Sequence, residues 1–348
     1  MTDARRSFWQ RTGPFSVLAV LAVAAANPGC SCDDGETEDG SGTNASSSGG
    51  PGDITIEAIE TDSPFDATPG PDGLTIYFTA VSENGAGVFS APASGGAATE
   101  LHAGPPFASP FGIDISGDGT TLFVADAAAE SDATTDEEDR GQILVLATSG
   151  GAPSGLDGTI GYAPRGVEVV SGSGGDELVF SGQNPSDGAA GVFKVASSGG
   201  TPTSLASGAP FVDPSGLAAT KDGSSVFVAD TRAGADGKAV VYLVKDGAAE
   251  EFLASLDVGY PVGLALSLDE STLFVSALDP ATLTDLVLVV DVASKEITHY
   301  TGDSEDETKD FSKFEESAGL HRAKDTNVFA WADSKAGKSG TVFVLTMK

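Results

Sequence analysis

Cysteine is nearly missing from this chain: its 348 residues include only Cys30 and Cys32. With one residue between them a bridge is strained. No disulfide framework and no thiolate zinc site can be built from two such residues. Histidine is almost as scarce, with His102, His299 and His321 too few for a His-rich metal centre. Positive charge is sparse as well, since 18 Lys and Arg face 51 Asp and Glu, a net charge of −33. That balance excludes a nucleic-acid binder, whose phosphate contacts need Lys and Arg. It also disfavours direct adhesion to an anionic membrane surface. Self-repulsion that keeps the chain soluble accounts for the charge; a cation-rich partner or calcium is the alternative. No G-x-S-x-G elbow occurs, so the commonest hydrolase nucleophile signal is lacking too.

The first fifty residues read as an address. Arg5, Arg6 and Arg11 form a basic start, and Phe15–Ala26 (FSVLAVLAVAAA) is an apolar run too short to span a bilayer comfortably. Asn27-Pro28-Gly29-Cys30 follows. Gly29 before Cys30 resembles a bacterial lipobox, which implies lipidation of Cys30, while Asn27 departs from the aliphatic residue usual there and leaves cleavage after Ala26 open. Arg5-Arg6-Ser7-Phe8 resembles a twin-arginine export motif. Removing residues 1–29 leaves 15 basic against 50 acidic residues, a balance of −35. Residues 30–53 are Gly, Ser and acid without apolar periodicity, the composition of a disordered tether. Ser31 after Cys30 favours, by resemblance to bacterial sorting signals, the outer membrane. The expectation is an exported outer-membrane lipoprotein or periplasmic protein that touches the membrane only through its anchor.

From residue 54 onward the chain repeats itself. DPSGLAATKDGSSVFVAD (213–230) returns as SPFGIDISGDGTTLFVAD (109–126) and, more loosely, from residues 63, 163, 260 and 316. The turn motif P-x-G begins at Pro64, Pro110, Pro164, Pro214 and Pro261, with Ser317 in the sixth copy, at steps of 46, 54, 50, 47 and 56 residues. Several short strands within such a period predict propeller blades. Each copy runs from the P-x-G turn into a short strand, through an Asp-Gly-type turn into a buried strand such as Val226–Ala229, then into a third such as Val240–Val244 and a weaker fourth. The last copy ends on TVFVLT (341–346) without a fourth strand, and ITIEAI (54–59) precedes the first. Side by side these two close the ring and remove a sheet edge. The predicted fold is an all-β, six-bladed propeller over residues 54–348, its last blade closed by the N-terminal strand, preceded by a signal peptide (1–29) and a disordered linker (30–53).

DPSGLAAT…VFVADT resembles the NHL repeat, GVFKVASSGGTPTSL resembles TolB-type repeats, and the sixfold P-x-G pattern is similar to the gluconolactonase family. All belong to the TolB-like group of six-bladed propellers. The resemblance implies the fold and leaves the activity open. In the gluconolactonase family, carboxylate and amide ligands beside the P-x-G turns hold one divalent cation in the channel. Here the x positions read Phe65, Phe111, Arg165, Ser215, Val262 and Ala318, none of them a ligand of that kind. Asp66 and Asp213 lie beside turns of different blades, and as carboxylates facing Arg165 they suit a charge pair better than a cage.

Two residues beyond each turn glycine the copies read Thr68, Asp114, Glu168, Ala218, Ala265 and His321. Four polar residues between apolar neighbours do not suit a dry core. They line either an upper channel with a ligand or a wet axial tunnel. Glu168, Asp66, Asp114 and Asp213 are the candidate ligands for calcium, and Glu168 with His321 a candidate acid–base pair. Aromatics recur just before the turns: Phe107, Tyr162, Phe211, Tyr260 and Phe314. Phe65, Phe111, Arg165, Tyr162, Phe211 and Tyr260 are therefore the candidate mouth for an envelope protein, a peptide or a small organic ligand; the alternative use of these rings is to plug gaps between blades. Asp126, Asp230 and Asp333, which end the second strand of three copies, form either a carboxylate ring or local caps for the next turn. The acidic stretches 127–140 and 302–310 match no calcium-loop spacing. The sequence supports a non-catalytic binding or scaffold module without a cofactor; a calcium-dependent hydrolase of the gluconolactonase type is the alternative.

Overall fold

The computed structural model describes residues 54–129, 141–282, 284–300 and 317–347. Six four-stranded antiparallel sheets make up the fold. Blade 1 contains β2 (Asp66–Pro69), β3 (Thr75–Ser82), β4 (Gly85–Pro92) and β5 (Thr99–Ala103). Blade 2 contains β6 (Pro110–Ile115), β7 (Thr121–Asp126), β8 (Gln142–Ala147) and the two-residue β9 (Ser154–Gly155). Blade 3 runs through β10 (Val167–Gly172), β11 (Gly175–Gln183), β12 (Ala190–Ala196) and β13 (Thr203–Ser207). Blade 4 holds β14 (Pro214–Ala219), β15 (Ser225–Asp230), β16 (Ala239–Lys245) and β17 (Ala248–Leu256). Blade 5 holds β18 (Leu264–Leu266), β19 (Thr272–Leu278), β20 (Asp285–Asp291) and β21 (Ile297–Tyr300).

Blade 6 is assembled from both ends of the repeat region. β22 (Ser317–Arg322), β23 (Val328–Asp333) and β24 (Thr341–Met347) are completed by β1 (Ile54–Glu60). β1 pairs along its whole length with β24, from Ile54 opposite Met347 to Glu60 opposite Thr341. Ile56 and Ile59 are buried by this pairing. The closure expected from ITIEAI and TVFVLT is therefore the closure observed.

Apolar residues of the second and third strands point alternately into the gaps between blades, as the two-residue period of a strand requires. Among the described residues they collect into six buried clusters. Phe78, Val342 and Val344 join blades 6 and 1, for example, and Trp331, Phe343 and Phe274 join blades 5 and 6.

The P-x-G glycines are explained by proximity. The first strands of successive blades touch around the axis in a closed ring. A Cβ on Gly112 would lie 2.8 Å from the Arg165 carbonyl oxygen, and one on Gly166, Gly216 or Gly263 would overlap backbone of the next blade. None of these four has a positive φ, so closeness, not backbone conformation, demands glycine. Asp126 and Asp230 serve as local caps. Asp126 accepts the N–H groups of Ala108 and Ser109 (2.8 and 2.9 Å), and Asp230 those of Val212 and Asp213 (2.7 and 3.0 Å). Asp333 accepts those of Lys335 and Ala336. Burial pushes the Asp126 and Asp230 carboxyls above the usual range despite these bonds. Cys30 and the segments expected to be a leader (1–29) and a tether (30–53), the acidic stretch 302–310, residues 130–140 and Phe314 lie outside the described residues.

Candidate functional site

Two layers are stacked on the propeller axis. The upper one is aromatic. Phe65 and Phe111, the x residues of blades 1 and 2, meet edge to face with centroids 5.9 Å apart. Phe111 meets Tyr260, just before the turn of blade 5, in the same way at 5.3 Å. Arg165, the x residue of blade 3, lies over the Tyr260 ring at 5.9 Å, within cation–π range. Its guanidinium is paired with Asp213, whose other oxygen accepts from Thr231 Oγ1 at 3.0 Å. Phe65, Phe111 and Arg165 are half-buried, and Tyr260 is 38% exposed. Beneath them a narrow recess of about 10 Å³ is lined by Phe111, Arg165, Pro261, Val262, Leu320 and His321 among others.

Two of the six predicted mouth residues are placed elsewhere. Phe211 is 7% exposed and packs edge to face on Tyr242 between blades 3 and 4. Tyr162 packs on Phe180 and Phe193 between blades 2 and 3. Phe107 is likewise buried, in the cluster between blades 1 and 2. In these loops the aromatic ring fills the widening gap between two blades, because burial of a large apolar face outweighs exposure.

The lower layer is ionic. It brings together Asp114, Glu168 and His321, polar residues two past the turn glycine, with Asp66 from a turn position, and adds Lys324. His321 Nε2 lies 3.0 Å from Asp66 Oδ2, and its Nδ1 lies 3.3 Å from Glu168 Oε2. Burial works against a charge on His321, but Asp66, then Glu168 and Asp114, hold its pKa well above the ordinary value. Both ring nitrogens thus face carboxylate oxygens, an arrangement that favours the imidazolium form. Lys324 Nζ donates to Asp114 Oδ2 at 2.6 Å and to the Val169 carbonyl at 2.9 Å, and lies 3.6 Å from Glu168 Oε1. Burial opposes its charge too, yet Asp114 and Glu168 raise its pKa. Asp114 is wholly buried and also accepts from Thr68 Oγ1 and the Ile115 and Val169 N–H groups. Burial alone would raise its pKa; Lys324 and His321 bring it below the usual carboxylate value.

Asp66 occupies the position of the turn glycine in blade 1, since Pro64-Phe65-Asp66 aligns with Pro110-Phe111-Gly112. Its Oδ2 also accepts the Ile113 N–H at 2.9 Å, joining blade 1 to blade 2. Of the four predicted calcium ligands, Asp213 is set apart, spent on Arg165. Asp114, Glu168 and His321 offer donor atoms within 4.8 Å of one another. They do not fit calcium as they stand. That ion takes six to eight oxygens, whereas here only three residues converge, one of them offers an imidazole nitrogen, and an ammonium already sits on Asp114. As an acid–base pair, Glu168 and His321 would need a neutral imidazole to accept a proton, which the surrounding carboxylates oppose.

No protein-family model matches the sequence, and no curated protein matches it. Solved structures match in fold. A gluconolactonase from Xanthomonas campestris is 15% identical with a TM-score of 0.58, over 86% of this chain and 91% of that one. TolB from Acinetobacter baumannii is 10% identical with a TM-score of 0.51, over 68% of this chain and 54% of that one. A chain of the nidogen–laminin complex is 18% identical with a TM-score of 0.52, over 69% and 80%. The chain spans about half the length of the Acinetobacter TolB. At these identities the shared property is the six-bladed propeller of TolB-like and gluconolactonase-like proteins.

Proposed function

We propose that this protein is a non-catalytic binding module of the bacterial cell envelope that engages a peptide segment of a partner at the Phe65–Phe111–Tyr260–Arg165 mouth. The observation that carries this reading is the half-exposed aromatic cluster over a recess whose floor is closed by paired charges. Rigid aromatic rings give large contact area at little entropic cost, and an adjacent Arg supplies directed donors. The residues below, each already paired, have no unused nucleophile or base to offer. Arg5, Arg6, the apolar run Phe15–Ala26 and Cys30 support export and lipid anchoring. The TolB likeness supports a binding or scaffold role without identifying the partner.

A peptide library selected on the full chain, in parallel with Phe111→Ala and Tyr260→Ala, tests the mouth. Selected peptides that lose at least tenfold in affinity on either variant would support it. Equal enrichment on all three proteins would count against it. Labelling of the wild type but not of Cys30→Ser by a fatty-acid probe tests the anchor.

The second reading is a calcium-dependent hydrolase of the gluconolactonase type. What favours it is the convergence of Asp114, Glu168 and His321 donors. It requires Lys324 to leave Asp114 and His321 to lose its proton. Calcium calorimetry combined with lactone hydrolysis tests it, and hydrolysis abolished by Glu168→Gln would establish it over the first reading.

A further inference from the structure

The two cations that pair with the axial carboxylates, His321 and Lys324, come from one short stretch. His321 and Arg322 end β22, and Lys324 follows in the turn. The three carboxylates come from three different blades: Asp66 from blade 1, Asp114 from blade 2 and Glu168 from blade 3. β22 belongs to blade 6, the blade in which the ring is closed. Between them Arg322 donates to the Leu266 carbonyl of blade 5 at 2.6 Å and to the Thr326 carbonyl at 3.2 Å, and burial lowers its pKa against the opposing pull of Glu168 and Asp114. Two positive groups, His321 and Lys324, thus stand against three negative ones.

We infer that the His321–Lys324 stretch is a built-in cation that replaces a metal on the axis and clasps the closing blade to blades 1, 2 and 3. Lys324 bridges Asp114 and Glu168, and His321 bridges Asp66 and Glu168. The two bridges share Glu168, so the network is continuous from blade 1 to blade 3. Asp66 and Asp114 would otherwise carry uncompensated charges in buried places, and Glu168 in a half-buried one, a far costlier state than a paired one. The clasp acts at the centre of the ring, whereas the β1–β24 pairing acts at its rim. It fixes which blade meets which, because β22 finds three matching carboxylates in one position only. The register role of buried polar groups is their best-attested use.

This inference does not depend on what the mouth binds. The test is thermal unfolding of the full chain, with and without a chelator, calcium chloride or zinc chloride, together with calcium calorimetry. The wild type should show no one-to-one calcium heat and a midpoint that neither chelator nor metal moves. Lys324→Met should lower the midpoint by roughly 6 °C or more, because it leaves Asp114 and Glu168 without their ammonium. Asp114→Asn added to Lys324→Met should recover part of that loss, and Lys324→Arg should retain most of the wild-type midpoint. Stoichiometric calcium binding by the wild type that raises its midpoint would overturn the inference. So would equal damage from Lys324→Arg and Lys324→Met, or no damage from Lys324→Met. If Lys324→Met does not fold, the wild-type metal titration and Lys324→Arg still decide.

Discussion

The carboxylate of Asp66 fills the space that a side chain on Gly319 would need. A Cβ built on Gly319 overlaps Asp66 Oδ1, while the Gly319 N–H donates to the Phe65 carbonyl at 2.9 Å. Where blade 6 meets blade 1, the carboxylate and the absent side chain are two halves of one fit. Gly319→Ala should therefore destabilise the fold by about 3 kcal/mol, at the upper end of overpacking effects. In an Asp66→Gly background the same substitution should cost much less, because the overlapping atoms are gone. A double-mutant cycle by chemical denaturation measures the coupling. Additive costs would show that Gly319 is glycine for another reason.

The aromatic residues near the turns divide into two kinds, and stability separates them from binding. Phe211 is buried against Tyr242. Phe211→Ala should cost about 3–5 kcal/mol, as large core truncations do. Phe111→Ala, at a half-exposed ring, should cost much less and abolish capture of selected peptides. The pair of measurements is urea unfolding and binding on the same preparations. A Phe111→Ala protein that unfolds as readily as Phe211→Ala would make the mouth a core element.

Most of the fold was legible because a propeller writes its architecture locally and repeats it. The P-x-G turn, the Asp-Gly hairpin and the run Val226–Ala229 each rest on neighbouring residues, and six copies average out the irregularities. ITIEAI was assigned to blade 6 by counting strands, a signal that also survives in sequence. The axial cluster was half legible. Asp114, Glu168 and His321 broke an apolar repeat position, which marks them without a structure. Lys324 gave no such signal. It stands five residues after Gly319, just as Lys221 stands five after Gly216, and Lys221 is exposed. What differs is the company: Asp114 lies 210 residues from Lys324 in sequence, and only the folded ring sets one beside the other. Asp66 at a glycine position was visible by alignment of SPFD with SPFG, but its pairing with His321 was not.

The rim closure predicts a failure mode. Deleting residues 54–60 removes β1, strips the cover from Ile56 and Ile59 partners such as Phe343, and exposes the β24 backbone as an open edge. Open edges template association. The truncated protein should melt several degrees lower and elute as oligomers in gel filtration. Adding the peptide ITIEAIE in trans should partly restore the monomer. A truncated chain that stays monomeric with an unchanged midpoint would mean that β24 is protected in another way.

His321 predicts a pH dependence with a defined sign. Asp66, Glu168 and Asp114 face it as anions, and Lys324 and Arg322 share the cluster as cations. The carboxylates raise its folded pKa above the unfolded value of about 6.5. A raised histidine contributes stability in full below about pH 6.5 and loses it as pH climbs through the folded value. Each unit of elevation corresponds to about 1.4 kcal/mol. The stability difference between wild type and His321→Gln should therefore be greatest in mildly acidic solution, while the carboxylates are still ionised, and should shrink steadily toward alkaline pH. Denaturant titrations of both proteins across that range measure it. A difference that stays constant with pH would mean that His321 is held as a neutral hydrogen-bonding ring, and the imidazolium bridge between Asp66 and Glu168 would have to be abandoned.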